Sequence, residues 1–242
     1  MSDASPFFWS VGVVIPARDE RDSIGRCIGS ILSAHARCAR AADLWIVVAA
    51  DACSDDTAAV ARAAIGEHGQ VIECNARSPG TARRWGALAV LEHFRSVDRA
   101  RVWIANTDAD TVVPRNWLQR QLQHADEGAT AVAGIVELDD SGGLRQDLVD
   151  VYRSTYLIGS DGAHGHVHGA NLGVRADAYV DVGGFSHLKV AEDHCLWGRL
   201  RQRGWRIRSC AKTVVTTSAR LQGRAVGGFA DTLRRRLERG RG

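Results

Sequence analysis

Lysine is almost missing from this sequence. Lys189 and Lys212 are the only two, and arginine carries nearly all of the positive charge. The net charge of +3 is too small for a chain built to hold nucleic acid, so no nucleic-acid partner is expected. Methionine occurs once and proline four times. No run of about 18 apolar residues occurs, which excludes a transmembrane helix. Met1-Ser2-Asp3 carries an early acid and no long apolar stretch follows, so no signal peptide and a cytoplasmic setting are expected. The cysteines (Cys27, Cys38, Cys53, Cys74, Cys195 and Cys210) form no CxxC pair. That argues against a zinc ribbon or a disulfide framework, and most are expected to be buried thiols. Collagen-like, low-complexity and coiled-coil patterns are absent too.

What is present is an ordinary globular composition, 45% hydrophobic and 24% charged over 242 residues, enough for a sizeable core. Val11–Ile15, Leu44–Ala50, Gln70–Cys74 and Val102–Ala105 are short continuous apolar runs that read as buried strands. Between them lie helical patterns: 23–36, 55–65 with Ala58, Ala61, Ala64 and Ile65 on one side, and 80–94 with Trp85, Leu88, Leu91 and Phe94 spaced for burial. Strands apolar on both faces, alternating with helices, predict a doubly wound, Rossmann-like half around a mostly parallel sheet. Ligands in such sheets bind beyond the carboxyl ends of the strands.

The second half is less regular. A helix is expected from Pro114 to Ala125, a strand over 130–136, a turn over 139–143, a helix over 144–157 and a Gly/His-rich loop over 160–169. A short strand over 171–174, a helix over 191–203 closed by Gly204, and two strands, 205–210 and 213–216, follow. No linker or repeat interrupts the chain, so one α/β domain is expected, with residues 1–111, 112–218 and a basic tail, 219–242, as its parts. Arg220, Arg224 and Arg234–Arg236, with Leu221, Val226, Phe229 and Leu233, make that tail partly amphipathic and compatible with peripheral membrane contact.

Thr107-Asp108-Ala109-Asp110-Thr111 follows a buried strand. Residues two apart in extended chain point the same way, so Asp108 and Asp110 can present two carboxylates to one side. Two hard oxygen anions suit Mg²⁺ or Mn²⁺ shared with substrate phosphates, though aspartates also simply cap turns.

Five motifs then occur in order: VVIPARDE at 13–20, Asp51 ahead of Ser54-Asp55-Asp56-Thr57, TDADT at 107–111, GGF at 183–185 and AED at 191–193. With them the chain resembles the family 2 glycosyltransferases of the GT-A fold, from about Val11 to about Ser218. The resemblance implies a GT-A fold and an inverting, non-processive, metal-dependent transfer of one sugar from a UDP- or GDP-sugar to an acceptor hydroxyl. It implies that Pro16, Ala17 and Glu20 border the base and ribose, that Asp51 contacts the base, and that Gly80 and Arg83 close over the nucleotide. Asp108 and Asp110 match the DxD that holds Mn²⁺ or Mg²⁺, with Asp110 the more direct ligand. Asp193 of the Glu192-Asp193 pair matches the catalytic base, and Gly169-Ala170-Asn171 the lining of the donor-sugar and acceptor pocket.

The sequence also departs from that family. Ala50 stands where many members have a second acid beside Asp51, no QxxRW motif occurs, and no His follows His194 to serve as a late metal ligand. His164, His166 and His168 alternate in a glycine-rich segment, where a flexible loop donating hydrogen bonds is the expected reading and His168 the one nearest substrate. A sugar-phosphate nucleotidyltransferase would need a Gly-rich loop after the first strand, and Pro16–Glu20 has no glycine. A non-catalytic sugar-nucleotide-binding or carbohydrate-binding module stays as the rival from another class.

Overall fold

The computed structural model describes residues 8–139, 150, 152, 154, 156–188 and 190–219. Expectations for residues 140–149 and for the basic tail from Arg220 onward lie outside the described residues.

Four parallel strands form the first half: β1 (Trp9–Ala17), β2 (Ala41–Asp51), β3 (Gly69–Cys74) and β4 (Val102–Asn106). Helices α1 (Ile24–His35), α2 (Thr57–Ile65) and α3 (Pro79–His93) are the crossovers between them. The rest comprises β5 (Thr111–Val112), α4 (Trp117–Asp126), β6 (Ala131–Asp139), β7 (Leu172–Arg175), α5 (Ala176–Asp181), α6 (Glu192–Gln202) and β8 (Ile207–Ser218). One eight-stranded sheet results, in the order β3-β2-β1-β4-β7-β6-β8-β5. β7 runs antiparallel to both β4 and β6, β8 is parallel to β6, and β5 is antiparallel to β8. The sheet is thus parallel on one side of β4 and mixed on the other.

Two apolar layers cover it. On one face Val11, Val13 and Ile15 of β1 pack with Ile24, Ile28 and Ile31 of α1 and Trp117, Leu118 and Leu122 of α4. On the other, Val14 and Val47 pack with Ala87 and Val90 of α3, Tyr179 of α5 and Leu196 and Leu200 of α6. Strand residues alternate between these layers because successive side chains point to opposite faces.

Three expectations are corrected. First, the buried stripe of α3 is Gly80, Arg83, Gly86, Ala87 and Val90, whereas Trp85 and Leu88 are 40% and 49% exposed. Small residues win because α3 lies almost on β1: a Cβ on Gly86 would come within 2.5 Å of Val14, and one on Gly12 within 2.1 Å of Val90. Second, the two late strands are one. β8 runs unbroken through Ala211 and Lys212, and the irregularity is absorbed as a register shift against β6 at Gly134/Ile135. Third, only Cys27 and Cys38 are buried; the other four cysteines are partly exposed, and all six are free thiols. Helix α5, which follows β7 directly, was not expected from the residue pattern; six residues are too few to show a helical period.

Among the described residues no helix is long and apolar enough to cross a membrane.

Candidate active site

The parallel strands end together, and so do their loops. The β4–β7 register pairs Asn106 with Leu172, which sets the turn Gly169–Asn171 beside the segment Thr107–Asp110. The end of β8 arrives at the same edge. Thr217 pairs with Thr111, its hydroxyl donates to Asp110 Oδ1 at 3.2 Å, and the Ser218 N–H donates to the Asp110 carbonyl at 3.3 Å. Among the described residues four non-glycine residues adopt positive φ: Asp19, Ala52, Arg77 and Ala191. The first three lie in the loops after β1, β2 and β3, and Ala191 precedes α6. Backbone strain of this kind concentrates where a site over-determines its loops.

Asp51 ends β2 and is buried. Its Oδ1 accepts from the N–H groups of Ala76 and Arg77 at 2.7 and 2.8 Å, and its Oδ2 accepts from the Ser78 N–H at 2.8 Å. The carboxylate therefore shapes the loop that leads into α3. Ser78 caps that helix by accepting from the Thr81 N–H, and Pro79 occupies its first turn. The Ser78 hydroxyl also donates to the Leu188 carbonyl at 2.9 Å. A Cβ on Gly80 would meet the Ser186 and Leu188 carbonyls and Glu192 Cβ. Gly80 is thus the point where the segment carrying Glu192 and Asp193 rests on α3.

Arg83, one turn into α3, is 4% exposed and pairs with two carboxylates at once, Asp108 through Nη2 and Glu192 through Nη1. Burial alone pulls its pKa down, but the charges of Asp108, Glu192 and Asp193 outweigh this and hold it above its ordinary value. Glu192, one of several acids around this single cation, is pushed above the usual carboxylate range by burial, against the pull of Arg83 and with the help of Asp193. Gly169 packs on the guanidinium, since a Cβ there would lie 2.5 Å from Nη2. The Gly169 N–H donates to Asp193 Oδ2 at 2.8 Å, and Asp193 Oδ1 accepts from its own helix at the His194 N–H, 2.7 Å away. The N-cap position is Ala191, so Asp193 does not cap α6; its carboxylate is clamped between the helix start and the Gly169 turn.

Asn171 has zero exposure. It donates to the carbonyls of Ile135 and Thr213 and accepts from Trp117 Nε1, stitching β6, β8 and α4 together. These three bonds commit its side-chain amide to holding the second half together beside the Gly169 turn. Ala170 is buried as well. Glu20 is buried, accepts from the Ser23 hydroxyl at 2.7 Å, and receives at its own carbonyl the N–H groups that start α1. Pro16 and Ala17 close β1 at this edge, Pro16 partly exposed and Ala17 buried.

Residue types alone did not point to two supporting residues. Cys27 of α1 donates to the Asp108 carbonyl at 3.3 Å from beneath the DxD segment. Burial, then the charges of Asp110, Asp108 and Glu20, push its thiol far up, so it stays neutral. Tyr156 shares a 2.8 Å hydrogen bond with Tyr152 and a 2.9 Å bond with His168 Nε2. His166 lies against the Tyr156 ring at 4.3 Å between centroids. Burial pulls the His168 pKa down to about 4, so it is a neutral, positioned imidazole rather than a flexible donor.

Among the described residues the one cluster with metal-ligand spacing is Asp19, Cys53 and Asp55, their ligand atoms within 4.8 Å of one another. Asp108 and Asp110 are outside it. A pair of carboxylates is nonetheless the kind of donor set that Mg²⁺ or Mn²⁺ takes, since these ions use one or two protein carboxylates and complete their shell with other oxygens.

Solved structures share this fold. A mannosyltransferase from Pyrobaculum calidifontis, in complex with GDP-Man and Mn²⁺, aligns over 91% of this chain and 61% of its own, with 20% identity and a TM-score of 0.62. S. aureus TarS 1–349 in complex with UDP-GlcNAc aligns over 91% and 61%, with 14% identity and a TM-score of 0.63. A mycobacterial protein aligns over 88% and 68%, with 18% identity and a TM-score of 0.56. The chain therefore spans about three fifths of the first two of these solved chains. A search of curated proteins returns no match. The sequence pattern described as glycosyltransferase like family 2 matches residues 9–237. A match over residues 9–237 covers nearly the whole chain, and the chain belongs to the glycosyltransferase-like family 2.

Proposed function

We propose that this chain moves one sugar from a UDP- or GDP-sugar to an acceptor hydroxyl, with inversion at the anomeric carbon. The observation that carries this reading is the meeting of Asp108, Arg83, Glu192, Gly169 and Asp193 at the carboxyl edge of the parallel strands. The neighbours solved with GDP-Man and UDP-GlcNAc support a nucleotide-sugar donor.

Each residue has a role in this reading. The loop shaped by Asp51 and the start of α3 bound the nucleotide. Asp110 and Asp108 would hold Mn²⁺ or Mg²⁺, which neutralises charge on a departing diphosphate. Asp193 accepts the proton of the acceptor hydroxyl, and its two accepted N–H bonds fix the direction in which the carboxylate faces. A single displacement needs no covalent sugar–protein intermediate, which is why one base suffices.

The test is a panel of UDP-, GDP-, CDP- and dTDP-sugars incubated with the protein in Mn²⁺ and in EDTA, reading nucleoside diphosphate release. Release from a UDP- or GDP-sugar in Mn²⁺ that EDTA suppresses supports transfer. Formation of nucleoside triphosphate and sugar 1-phosphate when inorganic pyrophosphate is added would indicate a nucleotidyltransferase, and tight binding without any turnover would indicate a binding module.

A further inference from the structure

We propose that Arg83 is a positioning residue that couples the donor side of the site to the base side, so that neither carboxylate group is set independently. The inference rests on the reading of Asp108 and Asp193 given above.

The geometry is that of one guanidinium with two arms. One arm ends on Asp108, which follows β4; the other ends on Glu192, the first residue of α6. The two carboxylates come from distant parts of the chain and meet at this cation. The third nitrogen, Nε, is buried with no hydrogen-bond partner and faces Gly169. The turn packed there supplies the N–H that holds Asp193. A displacement of the guanidinium therefore disturbs Asp108, Glu192 and the Asp193 clamp together. Lysine would keep the charge, but its single ammonium lacks the planar fork that reaches two carboxylates from fixed positions. Burial adds force, since charge pairs away from water are poorly screened.

Removing the Glu192 charge should be felt at Asp108. With Glu192→Gln, Arg83 has one anionic partner in place of two, holds Asp108 more firmly, and leaves that carboxylate less available to a cation. Coupling within one ion-pair network predicts about a fivefold loss of affinity for UDP or GDP in Mn²⁺. In the ligand-free protein the Thr111 amide, bonded to the Asp108 carbonyl at 3.0 Å, reports the same change through its hydrogen exchange. Coupling through Arg83 requires that both effects vanish when the fork is gone.

The experiment compares Glu192→Gln in the Arg83 and Arg83→Lys backgrounds, with Arg83→Met as a third background. Readouts are Thr111 exchange without ligand and calorimetric affinity for UDP and GDP with Mn²⁺. A Glu192→Gln effect on both readouts that is lost in Arg83→Lys supports the proposal. If Glu192→Gln leaves Thr111 exchange unchanged, or changes it equally in both backgrounds, the coupling is refuted. If the exchange effect behaves as described but the parent protein binds neither nucleotide, the coupling stands and the reading of the site as a UDP or GDP donor site falls. The Lys variant keeps a positive charge at this buried position without the fork, so the comparison holds even where Arg83→Met does not fold.

Discussion

At the scale of single residues, what distinguishes the site is how side chains of familiar type are held. Asp193 is tied by two backbone N–H groups from two elements, an arrangement that aims one carboxylate rather than merely capping a helix. Asp193→Asn keeps an acceptor for the Gly169 N–H, so the fold should lose only about 1 kcal/mol. Asn cannot take a proton at neutral pH, so transfer should fall about 10²–10⁴-fold while nucleotide affinity survives. Transfer assays and nucleotide titration on the same variant check this, and transfer within a few-fold of the parent would remove Asp193 as the base. His168 gives a second prediction. Its folded pKa is lowered, so it favours the neutral form, and the stability it contributes is complete above about pH 6.5 and is lost as pH falls toward about 4. Asp193 opposes that shift, while His164, His166 and His194 add to it. Melting temperature should therefore decline less steeply between pH 6.5 and 4 in His168→Gln than in the parent protein. Equal slopes would contradict it. These aspartates and His168 could be picked out by type and position in the sequence. Gly169 and Arg83 stood out through the resemblance, but their pairings with these groups, and Tyr156 altogether, did not, because those contacts arise only through the fold.

At the scale of elements, most strands and helices of the first half could be read from their apolar runs, since a strand buried on both faces must be continuously apolar. Helix α3 shows where that logic failed. Trp85 and Leu88 have the right spacing for a buried face, yet the helix turns a glycine and alanine stripe to the sheet because close approach there needs missing side chains. That rotation is what brings Arg83 inward. Gly86→Val should cost about 1–3 kcal/mol by forcing α3 away from Val14. Trp85→Ser and Leu88→Gln together should change stability by about 1 kcal/mol or less, as exposed positions do. Chemical denaturation of the two variants tests the orientation, and a larger loss for the Trp85/Leu88 variant would reverse it. Helix α5 and strand β5 escaped the sequence reading for a simpler reason: six residues and two residues carry too little period.

At the scale of the whole molecule, β7 is the device that builds the site. By running antiparallel between β4 and β6 it brings the Gly169–Asn171 turn to the edge where the parallel strands end. Residues far apart in sequence, from Asp51 to Asp193, then share one edge, and Asn171 locks the second half behind them. Motif order pointed to this edge; the antiparallel pairing that completes it depends on contacts between distant strands and carries no local signature. A molecule so arranged should respond as a unit to a nucleoside diphosphate bound with a divalent cation. The most direct measurement is the melting temperature in UDP, GDP, CDP and dTDP, each with Mn²⁺ and with EDTA. A ligand at 100 times its Kd stabilises by about 2.7 kcal/mol, which for a domain of this size is a rise of about 5–10 °C. That rise is expected for UDP or GDP in Mn²⁺, with its loss in EDTA and in Asp110→Ala; no shift with any of the four nucleotides, with or without Mn²⁺, would contradict a metal-assisted nucleotide site at this edge.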